Sequence, residues 1–289
     1  MTLPVFVINL DSRPDRWAAM SAQLDRLGIA AERIPAVDAR LLAAQEEWEQ
    51  RTNGNAPEWH VDDLGAVACA LSHCKAWGAL LASRHPAALV LEDDAELASD
   101  LPALLESLDW WPAGAGLVRL ETDQETFRLL GPERGRTPAG RSLRALAHRN
   151  AGAGGYLIRR EAVAEVMAAC RRAEMPVDRV LFDLRRSKTA RRLRPMQVVP
   201  AMVRRRQEAF APDTGLRRRV RRPKGLLQRT LAGLPHGFAV AASRLAGRVK
   251  RKKLRYSAAP PPAGRKARTA RPVETGGFGL PGRDRAEPS

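Results

Sequence analysis

The sequence has few cysteines, few aromatic residues and no long uninterrupted apolar run. Its three cysteines, Cys69, Cys74 and Cys170, are an odd number in 289 residues, which argues against a disulfide framework and favours a reducing compartment. No basic and apolar secretory signal opens the chain, and no apolar run reaches the roughly 18 residues that a membrane span requires. These absences predict a cytoplasmic protein without a membrane-spanning segment.

Acidic residues are also scarce in the last third of the chain, so the charge is divided unevenly. The net charge is +17, but residues 1–200 contribute −1 and residues 201–289 contribute +18. The hydrophobic content of 44% is that of a globular protein. We therefore predict a nearly neutral globular body that carries a strongly basic extension.

Short apolar runs and helical periodicity alternate through the first two hundred residues, which is typical of an α/β domain. The first helix follows residues 3–10, with Ser12 as its expected N-cap and Pro14 in its first turn. Further strands are predicted at 31–37, 89–92, 117–120, 142–147, 152–158 and 196–203, and further helices at 64–83, 99–108 and 161–173. Residues 122–141 are rich in Gly, Arg and Pro and are expected to form a mobile loop.

An acidic triplet closes the apolar run that begins at Leu89. Side chains i and i+2 of a strand share a face, so Glu92 and Asp94 are expected to project together and Asp93 to point away. Two carboxylates at the carboxyl edge of a parallel sheet suit a hard divalent cation, and ligands bind at that edge. A solvated turn in which Asp93 or Asp94 caps the next element is the alternative.

Polar side chains follow the first strand directly. Asn9, Arg13 and Arg16 lie where this strand is followed by its helix, a position suited to the polar groups of a nucleotide. The alternative is that both arginines are solvated charges on the helix surface.

The long apolar helix carries a single histidine and two of the cysteines. His73 is a candidate ligand or phosphate donor, and a buried histidine with satisfied ring nitrogens is the alternative. Cys69 and Cys74 are five residues apart and do not share a helix face, so they are not predicted to form a metal-binding pair.

Five short motifs, taken in order, resemble glycosyltransferase family 25, which contains lipooligosaccharide galactosyltransferases and related sugar transferases. The motifs are NLDSRPDR from Asn9, GAVACALSHCKAW from Gly65, LVLEDDAEL from Leu89, GGYLIRREAV from Gly154 and PVD from Pro176. The resemblance covers roughly residues 3–200. It departs from the family pattern at Ala39, Ala66 and Ala68, where the family usually has Gly, Glu and Gly.

The resemblance implies a GT-A-like, Rossmann-like nucleotide-sugar-binding domain, a UDP-sugar donor, Mn²⁺ or Mg²⁺, and inversion at the anomeric carbon. It implies that Glu92 and Asp94 bind the metal and that Glu92 and Asp93 contact the donor, with His73 and Arg13 as further donor contacts. An inverting transfer also needs a base that deprotonates the acceptor hydroxyl. The candidates are Asp178, which lies in the PVD motif, Glu121 and Asp123; a helix N-cap is the alternative role for Asp178.

The basic extension is expected to be a separate part of the protein. The predicted organisation is a catalytic domain at 1–203, a basic amphipathic segment at 204–256 and a disordered tail at 257–289. Basic clusters beside apolar residues suit an anionic membrane surface, which indicates a peripheral protein on the inner face of the cell membrane with a glycolipid or oligosaccharide acceptor. The alternative is a nucleic-acid-binding protein with a structural or degenerate α/β body, but the extension has few aromatic residues that could stack on bases.

Overall fold

The computed structural model describes residues 2–40, 64–122, 127–150, 152–171, 175–206, 241, 244 and 246–261. The strands are β1 Val5–Asn9, β2 Glu32–Pro35, β3 Ala87–Glu92, β4 Ala95–Leu97, β5 Leu117–Arg119, β6 Glu121–Thr122, β7 Phe127–Arg136, β8 Ser142–Leu146, β9 Gly155–Arg159, β10 Met196–Val199, β11 Val203–Arg205 and β12 Lys250–Lys253. The helices are α1 Pro14–Arg26, α2 Leu64–Ala82, α3 Arg160–Arg171, α4 Val177–Phe182 and α5 Lys188–Leu193.

A mixed sheet of nine strands forms the centre of the described structure, in the order β2-β1-β3-β9-β5-β10-β8-β7-β12. Strands β1, β2 and β3 are parallel, β9 runs against both β3 and β5, and β10 is parallel to β5. The carboxyl ends of β1, β3, β5 and β10 therefore lie at one edge of the sheet. This arrangement confirms the predicted mixed α/β architecture and is consistent with a Rossmann-like fold.

A second sheet lies at that carboxyl edge. It has three strands in the order β4-β11-β6. Each of these strands follows a strand of the large sheet along the chain: β4 follows β3, β6 follows β5, and β11 follows β10. The three chain segments that leave the large sheet thus pair with one another immediately beyond it. This pairing positions the polar residues that follow β3, β5 and β10.

Both faces of the large sheet are buried. Val7, Leu89 and Leu157 belong to the hydrophobic cluster beneath α1, whereas Val90 and Ile158 belong to the cluster beneath α2 and α3. Strands that are covered on both faces have continuous apolar sequences rather than alternating ones. This burial explains the uninterrupted apolar runs of β1 and β3 and confirms the prediction that they are buried strands.

Helix α2 is apolar because it packs in the core. Its segment Gly65–Ala82 is 18 residues long, with a mean hydropathy of 1.2, and is long and apolar enough to cross a membrane. More than half of this segment, 56%, is buried inside the protein, and Leu71, Trp77 and Leu80 are fully buried. We interpret α2 as a core helix. The helix itself confirms the prediction at 64–83, although Ser72, His73 and Lys75 interrupt its apolar sequence.

Three predictions about local structure were wrong. The helix expected at 99–108 is only a 3-10 turn, Pro102–Leu104, and neighbouring side chains bond to distant parts of the chain instead. The loop expected at 122–141 instead contains strand β7, and β8 and β12 pair with its two edges. The pairing of β7 with β8 shifts register at the glycine and proline residues of β7. Ser12 does not cap α1; Arg13 occupies the N-cap position without a side-chain cap bond.

The strand expected at 196–203 is divided between the two sheets as β10 and β11. A further strand, β12, lies in the basic extension and pairs with β7 at the edge of the large sheet. The buried side chain of Arg141 holds the chain beyond β12 in place. Its guanidinium binds the Asp100 carboxylate with contacts of 2.5 and 2.7 Å and donates to the carbonyl oxygens of Ala201, Ser257 and Ala259. Part of the extension therefore packs on the α/β body, and residues 207–240 and 262–289 lie outside the described residues.

Candidate active site

Predicted site residues from four elements meet at the carboxyl edge of the large sheet. Asn9 ends β1, Arg16 lies in the first turns of α1, His73 lies in α2, and Glu92 ends β3. Side-chain contacts connect Asn9, Arg16 and His73 to the acidic triplet. The meeting follows from the parallel register of β1 and β3, which pairs Ile8 with Glu92.

The three carboxylates of the acidic triplet face three different partners. Glu92 Oε1 lies 3.5 Å from His73 Nε2, Asp93 faces Asn9, and Asp94 faces Arg205. The prediction that Glu92 and Asp94 share one strand face does not describe this arrangement, because β3 ends at Glu92 and a turn begins at the next residue. The strand alternation therefore stops before Asp94.

Asn9 and Asp93 fasten the first strand–helix junction to the turn after β3. Asn9 Nδ2 donates to Asp93 Oδ2 at 2.7 Å and to the carbonyl oxygen of Arg13 at 3.0 Å, and Arg16 Nη1 lies 3.5 Å from Asp93 Oδ1. Burial raises the pKa of Asp93, and Asn9 and Arg16 only partly oppose this rise. The side chain of Arg13 pairs instead with the exposed Asp15, at 2.8 Å.

Asp94 forms an ion pair with Arg205, which lies 111 positions later in the sequence. Arg205 Nε donates to Asp94 Oδ2 at 2.5 Å, and the Arg205 side chain is 56% exposed whereas that of Asp94 is 8% exposed. Burial and the nearby charge of Glu92 raise the pKa of Asp94 despite this pairing. A shallow pocket opens here, lined by Asp94, Ala95, Glu121, Gly154, Val203, Arg204 and Arg205.

Glu121 is the candidate base that lines this pocket. Its side chain is buried, its Oε2 accepts a hydrogen bond from the Gly154 amide at 2.9 Å, and Arg119 Nη2 lies 3.6 Å from the same oxygen. Burial raises the pKa of Glu121 to about 7; the charge of Arg119 opposes this rise and the charge of Glu92 adds to it. Glu121 can therefore exchange a proton near neutral pH.

The other two base candidates are placed differently. Asp178 lies in the first turn of α4, its Oδ2 accepts a hydrogen bond from the Gly152 amide at 3.2 Å, and Pro176 rather than Asp178 occupies the N-cap position. Among the described residues that line the pocket, Asp178 does not occur. Asp123 lies outside the described residues.

His73 is buried, and only one of its ring nitrogens is satisfied. His73 Nδ1 lies 2.9 Å from the Tyr156 hydroxyl, which also accepts a hydrogen bond from Trp77 Nε1 at 2.8 Å. His73 Nε2 has no hydrogen-bond partner among the described residues. A donor atom of Cys69, one turn earlier on α2, lies within 4.8 Å of those of His73 and Glu92. The interpretation as a buried, fully satisfied histidine therefore holds for Nδ1 alone.

Two glycines let the backbone approach Glu121. Gly152 has φ +89°, and a Cβ at this position would lie 2.6 to 2.9 Å from the Glu121 carboxylate. A Cβ on Gly154 would lie 3.4 to 3.6 Å from the same group, at ordinary contact distance. The absence of side chains at these two positions lets the turn before β9 lie directly against the Glu121 carboxylate.

The acidic edge offers the right kind of ligand for a hard cation. Mg²⁺ and Mn²⁺ are commonly held by one or two carboxylates together with substrate phosphates, rather than by a cage made of protein alone. The raised pKa of Asp94 indicates that Arg205 compensates the negative charge at this edge incompletely. A cation at Asp94 would replace the guanidinium of Arg205 as the partner of that carboxylate.

Sequence reasoning missed two residues of this region. The spacing of four between Cys69 and His73, which places both on one face of a helix, could have pointed to Cys69. Nothing in the sequence near Arg205 indicates its contact with Asp94, because 111 positions separate the two residues.

Comparison with known proteins agrees with the motifs. Residues 2–181, more than half of the chain, match the family described as "Glycosyltransferase family 25 (LPS biosynthesis protein)". Two relatives named "Glycosyltransferase 25 family member" are similar over 95 residues: one from Drosophila melanogaster at 34% identity and one from Aedes aegypti at 35%. The similar region is 31% of this chain, which spans only 16% of the length of each relative.

The contact between Gly152 and Glu121 predicts different effects of two alanine substitutions. Gly152→Ala places a side chain in a left-handed conformation and against the Glu121 carboxylate, so we expect the free energy of unfolding to fall by about 2–4 kcal/mol. Gly154→Ala keeps its amide donor and has room for a methyl group, so we expect a change within about 1 kcal/mol. Urea denaturation measures both, and an equal loss in the two variants would contradict the described geometry.

Proposed function

The chain belongs to glycosyltransferase family 25, and we propose that it transfers a hexose, galactose or glucose, from a UDP-sugar to an oligosaccharide or glycolipid acceptor with inversion at the anomeric carbon. The observation that supports this proposal is the cluster of buried carboxylates and arginines at the carboxyl edge of the sheet. In open α/β folds, nucleotide ligands bind at that edge.

Charged side chains at this edge suit a diphosphate. Arg16 and Arg205 contact the acidic triplet from two sides, and both carry positive charge that phosphate oxygens can bind. Asp94, with Glu92 beside it, would hold Mn²⁺ or Mg²⁺. When bound, such a cation neutralises the negative charge that the departing nucleotide diphosphate acquires. In this arrangement Arg205 exchanges its carboxylate partner for the donor.

Glu121 is the residue that we propose as the general base. It lines the same pocket as Asp94 and Arg205, and its raised pKa of about 7 lets it accept a proton from an acceptor hydroxyl near neutral pH. Inversion requires the acceptor to attack from the face opposite the leaving group, so base and donor must line one pocket. Among the described residues, Glu121 meets this condition better than Asp178, which lies in the PVD motif but does not line the pocket.

The acceptor side of the proposal involves the basic extension. Strand β12 is the edge strand of the large sheet, and its side chains Lys250, Arg251 and Lys253 are exposed. A row of cations on an exposed edge blocks pairing with other strands, and it also suits an anionic membrane surface. We propose that this edge places the protein on the inner face of a membrane that carries its acceptor.

Turnover of a nucleotide sugar tests the proposed function. We expect the full chain to release UDP from UDP-galactose or UDP-glucose when Mn²⁺ or Mg²⁺ is present, and release to stop with excess chelator. Asp94→Asn removes the charge that holds the cation and should lower turnover by about 10²-fold. Asp25→Asn, a change of the same type at an exposed position of α1, should leave turnover unchanged. Absence of turnover with any nucleotide sugar would contradict the proposal.

The raised pKa of Glu121 predicts the pH dependence of the reaction. A base acts only when ionised, so kcat/KM should rise with pH through an apparent pKa of about 7. Glu121→Gln should lower kcat/KM by about 10² to 10⁴-fold and abolish this rise. If Asp178→Asn has this effect and Glu121→Gln does not, Asp178 is the base.

A second measurement of Glu121 does not depend on activity. The pKa is raised in the folded state, so the protonated carboxyl is favoured there and its stabilising effect is lost as pH rises through about 7. The free energy of unfolding of the wild type should therefore fall between about pH 4.5 and pH 7 and level off above pH 7, and the fall should be smaller in Glu121→Gln.

Vesicle flotation tests the membrane proposal. Changing Lys250, Arg251 and Lys253 together to Gln removes three exposed charges, each worth about 1 kcal/mol at an anionic surface. We expect binding to phosphatidylserine-containing vesicles to weaken by about 10²-fold, while binding to neutral phosphatidylcholine vesicles stays weak throughout.

A control variant carries the same change in net charge elsewhere. Arg186, Lys188 and Arg194 are exposed near α5, and their joint change to Gln should leave vesicle binding nearly unaffected. Equal losses in both triple variants would mean that only net charge matters. Tighter binding to single-stranded DNA or RNA than to anionic vesicles would favour the nucleic-acid alternative for the extension.

A further inference from the structure

We propose that Cys69, His73 and Glu92 form a cation site of their own, which takes Zn²⁺ or a similar borderline divalent cation. The three residues come from two elements, α2 and the carboxyl end of β3, and their ligand atoms lie within 4.8 Å of one another. This site shares Glu92 with the proposed donor site, but its test does not depend on the transfer reaction, because metal content is measured directly.

The distance between His73 and Glu92 is long for a hydrogen bond and close to the spacing of two ligands of one ion. His73 Nε2 and Glu92 Oε1 are 3.5 Å apart, and Nε2 has no hydrogen-bond partner among the described residues. With Zn–N and Zn–O bonds of about 2.0–2.2 Å, two ligands of a tetrahedral zinc ion lie about 3.3 Å apart. The pair is therefore already spaced for a shared ion.

The surroundings of His73 hold its ring in place and are compatible with this role. A histidine that binds metal through Nε2 carries its proton on Nδ1 and donates it to a neighbouring acceptor. His73 Nδ1 lies 2.9 Å from the Tyr156 hydroxyl, and the Tyr156 ring stacks on the imidazole with centroids 5.7 Å apart. Trp77 Nε1 donates to the same hydroxyl and holds it in place. Metal binding through Nε2 would require Nδ1 to keep the proton and donate it to the Tyr156 hydroxyl, whose oxygen can accept both hydrogen bonds. A cation at Nε2 would then compensate the charge of Glu92.

The donor set determines the kind of cation. A thiolate, an imidazole and one carboxylate are typical zinc ligands, whereas Mg²⁺ and Mn²⁺ prefer oxygen ligands. The side chain of Glu92 is 26% exposed and Cys69 is half-buried, so these two ligands are partly accessible to an ion from solvent. Three protein ligands leave a fourth position for water or another small ligand.

Occupation of this site would connect the middle of α2 to the end of β3. It would also commit Glu92 to the Cys69–His73 set and leave Asp94 to hold the cation of the donor. The two sites would then differ in metal preference, because Asp94 offers only oxygen.

Metal content of the full chain tests the proposal directly. Protein that is stripped with chelator, incubated with equimolar Zn²⁺ and desalted should retain about one Zn²⁺ per chain by mass spectrometry of the metals. Cys69→Ala and His73→Gln should each retain little. Cys74→Ala and Cys170→Ala, which remove buried cysteines outside the set, should retain the wild-type amount.

Two further measurements separate a real site from adventitious binding. Co²⁺ in place of Zn²⁺ should give a thiolate-to-cobalt charge-transfer band that is absent in Cys69→Ala. Zn²⁺ should raise the Tm of the wild type in a concentration-dependent way, and excess Mg²⁺ or Mn²⁺ should not reproduce this shift. Zinc retained equally by Cys69→Ala, or wild-type protein that retains none, would overturn the proposal whether or not the protein transfers sugar.

Discussion

The burial of several carboxylates at one edge of the sheet is the constraint on which the site depends. Four carboxylates are wholly or largely buried at this edge: Glu92, Asp93, Asp94 and Glu121. A buried charge is costly unless hydrogen bonds or opposite charges compensate it. Burial raises the pKa values of Asp93, Asp94 and Glu121, so their compensation is incomplete. For Glu92, burial is outweighed by His73 and the nearby arginines, and its pKa is lowered.

The two sheets create this edge together. Parallel strands bring their carboxyl ends to one side of the large sheet, and the small sheet then covers that side with the segments that follow β3, β5 and β10. Glu121 begins β6 of the small sheet, where it pairs with Val203 of β11, and β11 also brings Arg205 to Asp94. The same cover that withdraws the carboxylates from water also provides their partner, so burial and compensation come from one structural feature.

Local patterns predicted much of the fold and part of the site. The buried strands β1 and β3, the long helix α2 and the helix α3 follow from apolar runs and helical periodicity, which depend on neighbouring residues. Strand β7 could not be predicted, because its glycines, proline and arginines are typical of a loop and only pairing with β8 and β12 makes it a strand. The helix expected at 99–108 failed for a similar reason, since Asp100 binds the distant Arg141.

The sequence by itself determined the α/β class, the family and the position of the acidic triplet at a strand end, since periodicity and short motifs are properties of contiguous residues. The tertiary structure decided which partner each carboxylate has: His73 for Glu92, Asn9 for Asp93 and Arg205 for Asp94. These pairings join residues that lie between 19 and 111 positions apart. They depend on strand order and on the pairing of the second sheet, which no local pattern specifies.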